Sequence, residues 1–176
     1  AQVSDHARVS GNARVSGNAI VRGNAQVSDH VDVHGNAQVS DNAKVSGSGY
    51  VSDHAWVRGN AQVSDDAQVY DHANVSDHAW VRGNSQVSGN AQISGNAQVY
   101  DDAWVFGEAE IRGNARVTGN ARVTGNAQIS GNAQVSGNAE IFDDAQIVDD
   151  AGVSGDTNVC GDAKVSAKEL YFKTEP

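Results

Sequence analysis

Few side chains in this sequence could do chemistry, and they recur at fixed places. Of six histidines, His6, His30, His54, His72 and His78 all fall at one position of a short repeat, and only His34 falls elsewhere. His34 follows Asp32 at a spacing of two, and a histidine beside a carboxylate is the minimum equipment of a general base. Asp53-His54 returns eighteen residues later as Asp71-His72. Two imidazoles and two carboxylates would suit zinc or another divalent ion if the fold stacked the pairs. Asp65-Asp66 and Asp101-Asp102 supply oxygen ligands of the kind calcium takes. Cys160 is the sole thiol, so no internal disulfide can form. Finally, Tyr50, Tyr70, Trp104, Phe106 and Phe142 offer rings able to stack on a sugar or a partner protein.

What positions these groups is the repeat itself. Residues 1 to 168 divide into 28 hexapeptides without insertion or deletion, with a consensus Ala-x-Val-Ser-Gly/Asp-Asn, as in Ala13-Arg14-Val15-Ser16-Gly17-Asn18. The third position is Val or Ile in all 28 units, and the first is Ala except at Val31, Gly49, Ser85 and Thr157. A spacing of two puts both on one side of an extended strand, while the second and fourth positions face solvent. Branched residues favour that geometry. The fifth position is Gly in 17 units and Asp in 10, and the sixth is Asn, His or Asp in 25. These two read as a corner, with the sixth residue expected to take the left-handed backbone that Asn, Asp and His tolerate best. That expectation gives five of the histidines a backbone role.

Ile93, Ile111, Ile129 and Ile147 are each eighteen residues apart, with Ile141 off their ladder. Eighteen is three hexapeptides, so the spacing predicts a triangular coil of three strands. Nine coils and one extra strand at roughly 4.8 Å per rung would stand about 45 Å tall. Each coil would bury three branched side chains worth about 1.5–3 kcal/mol apiece before chain entropy is subtracted. No coil stands alone on that, so neighbours must stack.

The unit Val-Ser-Gly-Asn-Ala-x resembles the hexapeptide repeat of left-handed parallel β-helices over residues 1 to 168. The resemblance implies left-handed coiling, which periodicity alone does not, a right-handed solenoid being the alternative. The best-known members are acyltransferases using acetyl-CoA or acyl carrier protein substrates, generally trimers with an interface histidine and a loop extruded from the coil. Here no unit carries an inserted loop, and five histidines are corner residues. The resemblance therefore implies shape, with an acyl-CoA-dependent trimer as the alternative reading and no cofactor expected. Ice binding, another use of such prisms, calls for flat arrays of threonine. Thr118 and Thr124 are instead flanked by Arg116 and Arg122 across Val117 and Val123.

On an eighteen-residue coil Asp53-His54 stacks on Asp71-His72, making these four the candidate metal ligands. The competing reading is a polar corner bonded to its own backbone. The two Asp-Asp pairs lie two coils apart with Gly83-Asn84 between them, too far to share an ion. Trp56, Trp80 and Trp104 are 24 residues apart, one coil plus one face, so they climb the prism as a staircase. The identical stretches Asp53 to Asn60 and Asp77 to Asn84 explain that spacing by duplication. Tyr50, Tyr70, Trp104, Phe106 and Phe142 fall on one face and form the candidate binding surface, for self-association as dimer or trimer or for carbohydrate.

A formal net charge of −10 argues against nucleic acid, and no apolar run reaches the roughly 20 residues of a membrane span. Residues 139 to 162 hold seven acidic residues and no Lys or Arg, a solvated end that discourages coil-to-coil polymerisation or a dock for a basic partner. The chain starts on a repeat without Met, which reads as a piece of a longer protein with a neighbouring domain. Glu169-Leu170-Tyr171-Phe172-Lys173 breaks the pattern and is expected to cap the last coil, giving a β-helix over 1–168 and a tail over 169–176. The sequence thus predicts an all-β, single-domain parallel β-helix. Its expected role is a non-catalytic structural or interaction module of a larger bacterial or phage protein, in the bacterial cytoplasm or a phage particle.

Overall fold

A computed structural model describes residues 1–167; the cap assigned to 169–176 lies outside the described residues. Within them, 28 short strands run from Gln2–Val3 to Lys164–Ser166, one per hexapeptide. Every third strand pairs in parallel, giving three sheets of 10, 9 and 9 strands. We call these the first face (beginning at Gln2–Val3), the second (Arg8–Val9) and the third (Arg14–Val15). The register is eighteen throughout: Ile93 pairs with Ile111 and Ile111 with Ile129, then Ile129 with Ile147, all on the first face. The expected triangular coil is the observed one.

The inward positions form one continuous core. From Ala19 to Ile147 nearly every first- and third-position side chain is fully buried. Val3 and Val9 of the first coil, with no coil stacked outside them, remain 49% and 37% exposed. Non-alanine first positions show how strictly the wall is closed. Ser85 is fully buried and donates its hydroxyl to the Arg82 carbonyl at 2.8 Å; Thr157, exposed near the last coil, makes the same bond to the Ser154 carbonyl at 2.7 Å. A buried hydroxyl needs such a partner.

The corners correct one expectation. Left-handed backbone falls on the fifth position, in Asp77 (φ 59°) or Gly83 (φ 72°), and not on the sixth. The reason is a backbone group that the sheets leave over. Second-, fourth- and sixth-position N–H groups donate to the next coil, as the Ser76 amide does to the Ile93 carbonyl at 2.9 Å. The fifth-position N–H falls at the bend, outside that series. An aspartate one coil earlier reaches it: Gly59 N–H donates to Asp41 Oδ2, and Gly95 N–H to Asp77 Oδ2, both at 3.0 Å. Aspartate and glycine therefore alternate over the lower rungs of two corners, as Asp5, Gly23, Asp41, Gly59, Asp77 and Gly95 do, before glycine follows glycine at Gly113 and Gly137. Alternation gives each carboxylate room over a neighbour without Cβ and keeps like charges two rungs, about 9.6 Å, apart.

The sixth position instead builds side-chain ladders. Asn96 Nδ2 donates to Asn114 Oδ1 (3.1 Å), Asn114 to Asn132 (2.9 Å), and Asn132 to Asp150 (2.7 Å). The other corners end the same way, Asn126 on Asp144 and Asn138 on Asp156. Each amide passes a donor up one rung, and a carboxylate, which only accepts, finishes the series. Part of the acidic stretch at 139 to 162 thus has a structural use.

Candidate functional site

The third face collects the rings. Its second positions read Arg14, Asp32, Tyr50, Gln68, Gln86, Trp104, Arg122, Glu140 and Asn158 from bottom to top, one per rung. All five candidate aromatics lie on this face, against Trp56 alone on the first and Trp80 with Tyr100 on the second. The tryptophan staircase is also present, one ring per face, each 41–43% exposed. Each has a guanidinium nearby: Arg58 over Trp56 at 5.6 Å, Arg82 over Trp80 at 6.0 Å and Arg122 over Trp104 at 5.2 Å.

Neighbouring side chains fix the orientation of the rings. Tyr50 donates its hydroxyl to Gln68 Oε1 at 2.8 Å and Tyr70 to Gln86 Oε1 at 3.3 Å. The Tyr50 and Tyr70 ring centres are 6.0 Å apart, and His34 lies 6.1 Å from Tyr50. Burial raises the Tyr50 hydroxyl above its ordinary pKa, with the Tyr70 phenol and the Asp53 and Asp71 carboxylates adding to the effect. Ser52, on the same rung as Tyr50, is only 2% exposed.

Sorting the face by position reveals an order that the sequence reading missed. In the fourth positions His34, Tyr70, Phe106 and Phe142 are 36 residues apart, and the rungs between carry Ser52, Ser88 and Thr124. Ring and hydroxyl alternate, so ridges recur every second rung, about 9.6 Å apart. Two of the intervening rungs are open hollows. One lies over Ser88 between Tyr70 and Phe106, walled by Trp104 and Gln86. The next lies over Thr124 between Phe106 and Phe142, with Arg122 and Glu140 at its side. The signal becomes legible once the coil is known to be eighteen residues, by asking which aromatics share both face and strand position.

The metal candidates sit on an exposed corner. The His54 and His72 rings stack with centres 4.8 Å apart, 19° from parallel. Asp53 Oδ2 lies 3.4 Å from the Asp71 amide, and Asp71 Oδ2 accepts from Gly89 N–H at 3.0 Å. His54 Nε2 lies 3.1 Å from Asn36 Nδ2. The histidines are brought together, while their aspartates turn along the corner to backbone amides. Among the described residues, no three His, Cys, Asp or Glu side chains gather as a metal group. His34 is exposed beside the Tyr50 ring, on the open face.

Three parallel sheets closed by six-residue units define a triangular β-solenoid. More narrowly, the YdcK beta solenoid repeat model matches residues 1–15, 13–29, 37–59, 91–107, 115–131 and 127–139, together more than half of the chain, and the chain belongs to that family. Comparison with curated proteins gives no significant match.

Proposed function

We propose that the chain is a non-catalytic structural and interaction module, a rigid prism of a larger bacterial or phage protein that presents its third face to a partner. The observation that supports this reading is the unbroken eighteen-residue register. Every rung from Gln2 to Ser166 pairs without a slipped strand, so side chains far apart in sequence hold fixed spacings on a flat surface. Stacked parallel strands resist bending because a bend must break several inter-rung hydrogen bonds together. Catalysis would need a cleft that orients substrate around a base, and His34 stands on an open face.

Stiffness tests this reading. Spin labels at Ser10→Cys and Ser154→Cys, in a Cys160→Ser background, sit eight rungs apart on the second face. Pulsed electron resonance should give a narrow distribution near roughly 38 Å between backbones, plus the label arms. A broad distribution would remove the rigid module, and tight acyl-CoA binding lost in His34→Ala would replace it with the acyltransferase reading.

A further inference from the structure

We infer that the third face is an isologous dimer interface, pairing with the same face of a second copy of this chain run antiparallel. The inference rests on the interaction-module reading and names its partner. Number the rungs of this face from 1 (residues 13–18) to 9 (157–162). A twofold axis lying in the face, along the strand direction between rungs 4 and 5, reverses the solenoid but keeps strand direction. Rung n then meets rung 9 − n of the other copy, second position against second and fourth against fourth.

In that register three fourth-position rings meet an exposed or hollow rung, and the fourth, Phe106, meets the covered Ser52 rung. Tyr70 meets Ser88, His34 meets Thr124, Phe142 meets Ser16, and Phe106 meets Ser52. The Ser88 and Thr124 rungs are the two open hollows, whereas Ser52 is 2% exposed, so Phe106 lies there on a closed surface with the Tyr50 ring beside it. The second positions match independently. Arg14 meets Glu140, Asp32 meets Arg122, Tyr50 meets Trp104, and Gln68 meets Gln86. Every charge on the first eight rungs' second positions thus faces its opposite. Moving one copy by two rungs keeps the ridge-to-hollow mesh but sets Glu140 against Tyr50 and Asp32 against Asn158, losing both ion pairs. Shape therefore narrows the choice to registers two rungs apart, and charge selects this one among them.

Arg122 and Glu140 keep side-chain exposures of 54% and 46%, and their contact within the chain is long, 3.8 Å. Both remain available to a partner. Eight rungs by a strand some 15 Å wide bury on the order of 1,200 Å² over both copies, at the lower edge of stable interfaces. Rings at the centre and charges at the ends follow the usual plan of an apolar core with a polar rim.

Sedimentation and register-specific charge swaps test the proposal on the whole chain. The chain should sediment as a dimer at tens of micromolar. Asp32→Arg and Arg122→Glu should each weaken association at least tenfold, and the double variant should restore most of it, since the swapped pair again meets its opposite. All these side chains are at the surface, so circular dichroism should stay unchanged. In a Cys160→Ser background, a short bis-maleimide should join copies of Gln86→Cys, one rung from its mate, but not of Arg14→Cys, seven rungs or about 34 Å away. A monomer, a trimer, equal cross-linking at both sites, or a double variant weaker than either single overturns the inference. So does a monomer whose glycan-array signal is lost in Trp104→Ala and Tyr70→Ala, which assigns the face to carbohydrate. A monomer that still gives the narrow spin-label distance sinks the dimer alone; a broad distance sinks the module reading beneath it.

Discussion

Replacing Asp77 separates the two tasks that its corner imposes. Its backbone sits at φ 59°, and its Oδ2 accepts from Gly95 N–H at 3.0 Å. An L-residue without a short polar side chain loses about 1 kcal/mol in this backbone region. The carboxylate hydrogen bond, discounted because Asp77 is exposed, is worth about 1 kcal/mol. Asp77→Ala forfeits both, about 2 kcal/mol in all. Asp77→Gly keeps the backbone and loses the acceptor, about 1 kcal/mol, and Asp77→Asn retains a neutral acceptor and should cost about 0.5 kcal/mol. At roughly 2–4 °C per kcal/mol for a chain of this size, the alanine variant should melt about 4–8 °C lower. Thermal circular dichroism gives the ranking, and hydrogen exchange at the Gly95 amide reads the bond directly. The amide should lose protection in the alanine and glycine variants and keep part of it in the asparagine one. If glycine proves less stable than alanine, the left-handed fifth position is not what the corner selects. If asparagine falls as far as alanine, the acceptor contributes nothing.

Two further outcomes test the wall and the face. Val81→Asp buries a carboxylate with no partner and should unfold the chain or lower its melting point by more than about 10 °C, whereas the outward Ser94→Asp should move it by less than about 2 °C; similar shifts in thermal melts would void the inward–outward assignment. Tyr50 has a raised pKa in the fold, so the unfolded chain releases its proton first, near about pH 10. The stability tied to the neutral phenol is full below that pH and is lost as pH rises above it towards the folded value. Denaturant titrations from about pH 8 to 11 should therefore show an alkaline loss that is smaller in Tyr50→Phe.

Most of the architecture could be read from the sequence because a strict period leaves few choices. Ile93, Ile111, Ile129 and Ile147 announce the eighteen-residue coil, and the coil places Tyr50, Tyr70, Trp104, Phe106 and Phe142 on one face. The corner is harder to read because composition cannot separate two adjacent residues that both tolerate unusual backbone. Asn and His at the sixth position look like conformational choices, yet they serve as rungs of side-chain ladders. Asp at the fifth carries the conformation because its carboxylate also reaches an amide eighteen residues on, a contact that no local window contains. The ridge-and-hollow order is hidden for a similar reason: it exists only between alternate coils, 36 residues apart.

The unslipped register makes length a surface property. A residue's face depends on its count modulo eighteen, so gaining or losing one hexapeptide preserves the prism while turning everything beyond it by one side. The identical stretches at Asp53 to Asn60 and Asp77 to Asn84 carry this mark: a step of 24 set the second tryptophan, Trp80, on a different side from Trp56. Only changes of eighteen keep a face intact, and only changes of 36 keep the ridges in phase with the hollows. The same architecture that forgives an added repeat as a fold is unforgiving of it as a pattern, and lineages of such chains should vary freely in height while keeping surface order only in double-coil blocks.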